Sequence, residues 1–561
     1  MTDAPLPPPH DAVDGARMMA DLTELARWVK LSGTPEERES LEFLRSRLDD
    51  AGYRTRIIEH DAFISLPGEA TVTVDGRALR AITHSMARPT PADGLQARLV
   101  DVGDGKPANL EGRDLRGMIL LVQGMSTPDM AARASAAGAA ATLHVSNHQH
   151  LHEMCISPVW GSPSPETLAN LPTIASCTIS GSDGAALREQ LRRGETPDVV
   201  LHAAVDTGWR KTPILVAELD GPEGAETPFV LFSGHHDTWH HGVMDNGSAN
   251  AAMLEVARLC AEARASWQRG LRICFWSGHS HGRYSGSTWY ADNHWAELDR
   301  LCVAHVNIDS PGGIGATVLE DAAAAAELSP LAAAAVLAGS GQGYAGKRKT
   351  RNSDESFPGI GIPSMFGSIS AQPPGPVAMR NPLGWWWHTP DDLLDKIDPA
   401  NQVRDTRVLL HAVWELLTTP ILPLDYAAHA RQLRAEVAPL AEAIGTRLSL
   451  REVLSSLVKL EEQSALITGS TASAGAAEDV NRALMQASRA LVPLDYGTGD
   501  RFAHDPALPL RPWPVLDPIR HLATTGDGSD AAKLATVSAT RARNRLLHAL
   551  SAAVSALEQV T

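Results

Sequence analysis

Four residues near strand-like segments have the chemistry to hold a divalent cation. In "GHHDTWHHGVMDNGSAN", His235 and Asp237 are two apart, so on an extended segment they face one side. Asp237 can then orient the His235 imidazole, as carboxylates beside metal-bound histidines commonly do. Asp245 follows a glycine-containing loop and immediately precedes a helical run. Asp309 closes the strand-like "AHVNIDS", and His388 follows three tryptophans in "WWWHTPDDLLDKID". Singly, each has a plainer role as a cap or surface residue. Together, two imidazoles and two carboxylates at loop positions of one sheet suit zinc, manganese or cobalt.

A further loop, "WSGHSHGRYSGSTWYADN", begins where the apolar run LRICFW ends and delivers His279 and Ser280 into a glycine-bracketed turn. Arg351 and Arg380 are candidates for gripping a substrate carboxylate with two parallel hydrogen bonds. Trp387 can form an apolar wall beside His388, although core packing suits at least two of the three tryptophans.

The elements that must position these residues alternate from residue 212 onward. "TPFVLFSG", "LRICFWSG" and "CVAHVNIDS" read as strands; "SANAAMLEVARLCAEARA" reads as a helix with Ala251, Leu254, Ala257 and Ala261 on one face. That order predicts an α/β fold, a mixed and mostly parallel sheet flanked by helices, with ligands at the carboxyl ends of the strands. Residues 67–205 form a separate block with a compact strand–helix–strand unit in "DLRGMILLVQG…STPDMAARASAAGAAATLHVSN". Residues 426–561 are Ala/Leu-rich with helical spacing, broken by a connection beginning "PLDYGTGDRF". The predicted layout is a disordered leader at 1–16, a catalytic domain of 17–66 and 206–425, an inserted β-rich domain at 67–205, and a helical domain at 426–561. The small-residue helices of the last suit a dimer interface or a self-contained bundle.

The chain has 561 residues, too many for one core, and a formal net charge of −17 with no basic run, which argues against a nucleic-acid binder. No apolar stretch is long enough to span a membrane. Five scattered cysteines without a CxxC pair fit a reducing, cytoplasmic setting.

The motifs "FSGHHDTWHHGVMDNGSANAAMLEVARL", "LRICFWSG", "AHVNIDS", "SDESFPGIGIPSMF" and "WWWHTPDDLLDKID", in that order, resemble the di-zinc aminopeptidase family, in particular its glutamate carboxypeptidase II and transferrin receptor branch. The resemblance implies a protease-associated inserted domain and dimerisation through the C-terminal helices. It implies that His235 and Asp309 bind one metal, that Asp245 bridges to a second held by His388, and that Asp237 supports His235. The family has two consecutive glutamates, a base and a ligand, where this chain has His279 and Ser280. One metal, most simply Zn2+, is therefore expected per chain, since a serine hydroxyl replaces an anionic ligand poorly. A second ion would need Ser280, His281, His240 or His241. Neutral imidazole is a competent base near neutrality, so His279 is expected to take the proton of metal-bound water. The resemblance also places Asp354 near the metals. It sets the inserted domain over the cleft, where His150 or Trp160 can reach substrate; the polar surface loop is the plainer role for the histidines of "HQHLHEMCISPVWG". The implied activity is hydrolysis of an amide or peptide-type bond in a short peptide or small amino-acid derivative. An inert transferrin-receptor-like scaffold and a conventional two-metal peptidase are the rivals.

Overall fold

The computed structural model describes residues 7–222, 224–320, 322–375, 382–468 and 474–561. Its backbone is a long sheet whose centre positions the site. β1 (Arg54–Val74), β2 (Val199–Leu219), β3 (Phe229–His235), β4 (Gly270–Trp276), β5 (Cys302–Ile308) and β6 (Ser364–Gly367) lie in the spatial order β6–β5–β3–β4–β2–β1. β6, β5, β3 and β4 run parallel; β2 and β1 are antiparallel to their neighbours. β3, β4 and β5 are buried at every position because helices cover both faces, so they read as unbroken apolar runs.

The mixed sheet flanked by helices agrees with the sequence. The helix Ala249–Glu262 packs its alanines and Leu254 into the main core, beside Pro399–Thr418 and Gly15–Leu25. β1 and β2 are each 21 residues long and run through the expected domain joins, where Pro67 pairs with Val205. Beyond the joins the far half of β1 also pairs with a further strand, Arg77–Thr83, and the sheet continues into parallel strands at 99–101, 119–123, 141–145 and 175–179. Helices at 426–444, 451–468, 474–496 and 530–558 close the chain.

Two expectations need correction. Of the leader, residues 7–16 are placed against the core and residues 1–6 lie outside the described residues. Asp14 caps the first long helix by accepting from the Arg17 N–H, and its own N–H donates to buried Glu255 at 2.8 Å. The connection expected from Pro493 begins later. Pro493 lies inside the helix 474–496, and short helices at 514–516 and 517–524 fill part of the loop. All five cysteines are buried and free. Among the described residues no helix is long and apolar enough to cross a membrane.

Candidate metal centre

The carboxyl ends of β3, β4 and β5 converge because Asn246 ties two of them together. Its amide donates to the His235 and Ile308 carbonyls, each at 3.3 Å, and its Oδ1 accepts the Ser310 N–H at 2.9 Å. Gly234 permits this closeness, since a Cβ there would stand 2.8 Å from the Ile308 carbonyl oxygen.

At this edge His235 Nε2 lies 3.0 Å from Asp245 Oδ1 and 3.6 Å from Asp309 Oδ1. The other ring nitrogen donates to the Asp237 carbonyl at 2.9 Å, so in a neutral ring Nε2 is a lone pair facing two carboxylates. Three acceptors converging in a buried place require a cation between them, either a proton or a metal ion. His235 Nε2 and Asp245 Oδ1 are buried without a hydrogen-bond partner. The donor set therefore fits a divalent metal. Burial opposes a charge on His235, but the Asp245 and Asp309 carboxylates outweigh it and hold the imidazole well above its ordinary pKa. Burial likewise pushes Asp245 up, yet the two imidazoles hold it below the usual carboxylate range.

His388 Nε2 lies 2.9 Å from the other Asp245 oxygen, and its Nδ1 meets the Glu153 carbonyl at 2.6 Å. Its φ of 57° is in the left-handed region, a strained setting for a residue with a Cβ. The ring stacks on Trp387 with centroids 3.4 Å apart. Asp245 itself is fixed from behind: the N–H groups of Met244 and Asp245 donate to Asp392, whose carboxyl burial pushes up to about 7.

Asp237 supports His235 differently from expectation. Its main-chain carbonyl makes the contact, while Asp237 Oδ1 lies 3.9 Å from the ring. The carboxylate instead accepts from the N–H groups of His279 (3.1 Å) and Ser280 (2.9 Å) and from the Ser32 hydroxyl (2.8 Å), shaping the turn after β4. Burial raises Asp237, but His235, His279, His281 and Ser32 together hold it below the ordinary value. His279 Nδ1 lies 2.9 Å from Asp354 Oδ2, and the ring stacks on His235. Among the described residues, the set of three or more ligand groups converging within 4.8 Å is His235, His279 and Asp309.

The remaining expected residues divide sharply. Ser280 Oγ is buried without a partner. His281 turns Nδ1 to Ser32 at 2.9 Å and leaves Nε2 buried and unpartnered. His240 lies 3.6 Å from Glu153, and His241 turns to the Ala26 carbonyl. Asp245, His279, Ser280, Asp309, Trp387 and His388 share one cavity of about 500 Å³. Arg351, Trp160 and His150 do not line it. Arg351 donates to the Asp505 and Pro506 carbonyls and lies over Trp160, whose Nε1 donates to Ser356. His150 stacks outside on Trp385. Arg380 lies outside the described residues.

Sequence reasoning missed Arg283, Trp239 and the Glu153 carbonyl. Arg283 lines the cavity from a left-handed turn (φ 49°), with Nε buried and without a partner. Its place four residues after His279 on the same glycine-bracketed loop was the available signal.

Residues 215–413 match the model of peptidase family M28. That segment is similar to peptidase family M28. It contains every residue of the centre described above except Ser32 and Glu153. Among curated relatives, the chain is 27% identical over 356 residues to the probable glutamate carboxypeptidase VP8 of Zea mays, covering 52% of this chain and 50% of that protein. It is 25% identical over 325 residues to an aminopeptidase of Pseudomonas aeruginosa, covering 54% and 57%. The chain thus spans about half the length of these relatives. Among solved structures, it superposes on a zinc aminopeptidase from Bacillus subtilis with a TM-score of 0.57 at 20% identity, over 72% of this chain and 96% of that one. An aminopeptidase from Aneurinibacillus sp. strain AM-1 gives 0.56 at 23%, over 73% and 95%. The chain therefore shares the fold of these aminopeptidases over the superposed part.

Proposed function

We propose that this chain is a metal-dependent hydrolase of amide or peptide bonds, with Zn2+ (or Mn2+ or Co2+) as its ion and one ion per chain. The convergence of His235 Nε2 with the Asp245 and Asp309 carboxylates carries this reading. His235, Asp245 and Asp309 would hold the ion, and His388 shares Asp245 on the other side. When bound, such an ion polarises a carbonyl and makes water more acidic.

The chain's own residues do the rest. Asp237 fixes the turn that carries His279 and Ser280. Asp354 accepts a hydrogen bond from Nδ1–H of His279 and so leaves the lone pair on Nε2. Trp239, Trp387 and Met154 give the cavity apolar walls that exclude water from a bound amide. Arg283 supplies a cation without a carboxylate partner among the described residues, so the substrate class is a small acyl or peptidyl amino acid presenting a carboxylate to it.

Metal content per chain and hydrolysis of a dipeptide and N-acyl amino-acid panel, measured on wild type and His235→Ala, test the reading. Stoichiometric metal and turnover, both lost in the variant, are expected. A chain that binds no metal and cleaves nothing would be an inert scaffold.

The proposal keeps a cytoplasmic setting, supported by five free thiols. It also keeps a protease-associated role for the insert and a homodimer through the C-terminal helices, where Leu466, Leu534 and Val537 are exposed. Sedimentation velocity on wild type and Leu534→Glu tests the dimer.

A further inference from the structure

His279 stands where the resemblance expects a proton acceptor, but its surroundings are those of a ligand. Its ring stacks on that of His235, with centroids 3.7 Å apart and planes 13° from parallel. Nδ1 lies 2.9 Å from Asp354 Oδ2; a carboxylate only accepts, so Nδ1 carries the proton and Nε2 the lone pair. Asp354 is completely buried, and a buried carboxylate behind an imidazole is the arrangement that fixes tautomer and direction in metal-binding histidines. The ligand atoms of His235, His279 and Asp309 lie within 4.8 Å of one another. Donors around one zinc ion stand about 3.3 Å apart, so small side-chain rotations close this set.

A base works at one remove. It reaches the ion through an intervening water and therefore sits roughly 4 Å from it, outside the layer of donors. The His279 nitrogen groups with the ligand atoms of His235 and Asp309 rather than standing beyond them. Charge balance agrees: Asp245 and Asp309 already supply two negative charges for a divalent ion, and a neutral imidazole adds a donor without adding charge.

We propose that His279 is a metal ligand, its Nε2 joining His235 and Asp309 around the ion, with Asp354 as the residue that positions its ring. The inference rests on the metal-dependent reading above and removes His279 from the role of base. It describes a centre in which the residue replacing the family's first glutamate has moved into the coordination shell.

The test is metal affinity and spectroscopy on the full-length chain, stripped with a chelator. Zn2+ is titrated in competition with a chromophoric chelator, and Co2+ is added separately to read its visible absorption. The proteins are wild type, His279→Ala, His279→Gln, Asp354→Asn and His235→Ala, each checked by circular dichroism. His279→Ala and His279→Gln are expected to weaken zinc about 100-fold or more and to change the cobalt spectrum. Asp354→Asn is expected to weaken zinc about tenfold. The Gln variant keeps the side chain's bulk, so it carries the test if the Ala variant does not fold. A loss below tenfold in both His279 variants, with the cobalt spectrum unchanged, overturns the inference while leaving the hydrolase reading intact. Absence of metal from the wild type overturns that reading and this one together.

Discussion

Glu153 and His388 bind each other twice, although 235 residues separate them. The His388 ring meets the Glu153 carbonyl through Nδ1 at 2.6 Å, and the Glu153 N–H donates to the His388 carbonyl at 3.1 Å. The segment around Glu153 therefore holds His388 with Nε2 turned to Asp245, in a coordinating orientation, even though the neighbouring ligand position is a serine. Ser280 Oγ is buried beside it in the same cavity and has no partner. Ser280→Glu should restore an anionic ligand to a half-built site and raise metal content from one ion per chain to two. Elemental analysis of the dialysed variant checks this, and a value that stays at one would show that His388 has taken another role.

Arg283 should govern which substrates bind. Its turn is pinned from outside the loop, where the Gly161 N–H donates to the Arg283 carbonyl at 2.7 Å. The guanidinium lies 4.8 Å from the Tyr284 ring centroid, and the residue lines the cavity. A charge-assisted hydrogen bond from a partly desolvated arginine contributes about 1.5–3 kcal/mol. Arg283→Leu should therefore lower kcat/KM on carboxylate-bearing substrates by roughly 10- to 100-fold, mainly through KM. Substrates with the carboxylate converted to an amide should respond little. Equal losses on both sets would mean that the residue only supports the loop.

Ser32 reaches the centre from the N-terminal segment. Its hydroxyl donates to Asp237 at 2.8 Å and lies 2.9 Å from His281 Nδ1, all three residues being fully buried. Ser32→Ala removes a donor from a buried carboxylate without filling the space. A loss of about 1–3 kcal/mol in unfolding free energy is expected for the metal-free chain. Denaturant titration measures it, and an unchanged midpoint would show that water replaces the hydroxyl at no cost.

How far these contacts were legible depends on how each is made. His235, Asp245 and Asp309 were readable because an apolar strand must end somewhere, and a polar side chain at that end faces the loop region of the sheet. His388 was readable from its motif, but the contact that orients it was not, since a main-chain carbonyl leaves no residue type behind. Asp237 shows the same limit. Its spacing placed it beside His235, yet the neighbouring N–H groups of His279 and Ser280 claim its carboxylate. Arg351 was plausible for a substrate by charge alone; carbonyls at 505 and 506, from the distant C-terminal helical region, occupy it instead. Arg283 was overlooked because its direction depends on two successive left-handed residues, Arg283 and Tyr284, neither of them glycine.

The Glu153 side chain makes a last prediction about stability and pH. Burial pushes its carboxyl up to about 8, and its nearest basic group is His240 at 3.6 Å, itself lowered to about 4 by its own burial. The sign follows from linkage. A carboxyl whose folded-state pKa is raised keeps its proton in the folded chain while the unfolded chain releases it near the ordinary value of about 4.3. The stability tied to this group is thus fully present below pH 4 and is lost progressively as pH rises to about 8. Glu153→Gln removes the ionisation but keeps the main-chain contacts to His388. The variant should match wild type near pH 4 and become more stable than it as pH rises. The gain should be on the order of 1 kcal/mol per pH unit at most, levelling off near pH 8. Denaturant titrations of the two metal-free proteins at pH 4.5, 6 and 8 measure the difference (pH values chosen to bracket the window roughly). A constant difference across the series would show that the folded chain ionises Glu153 as readily as the unfolded one.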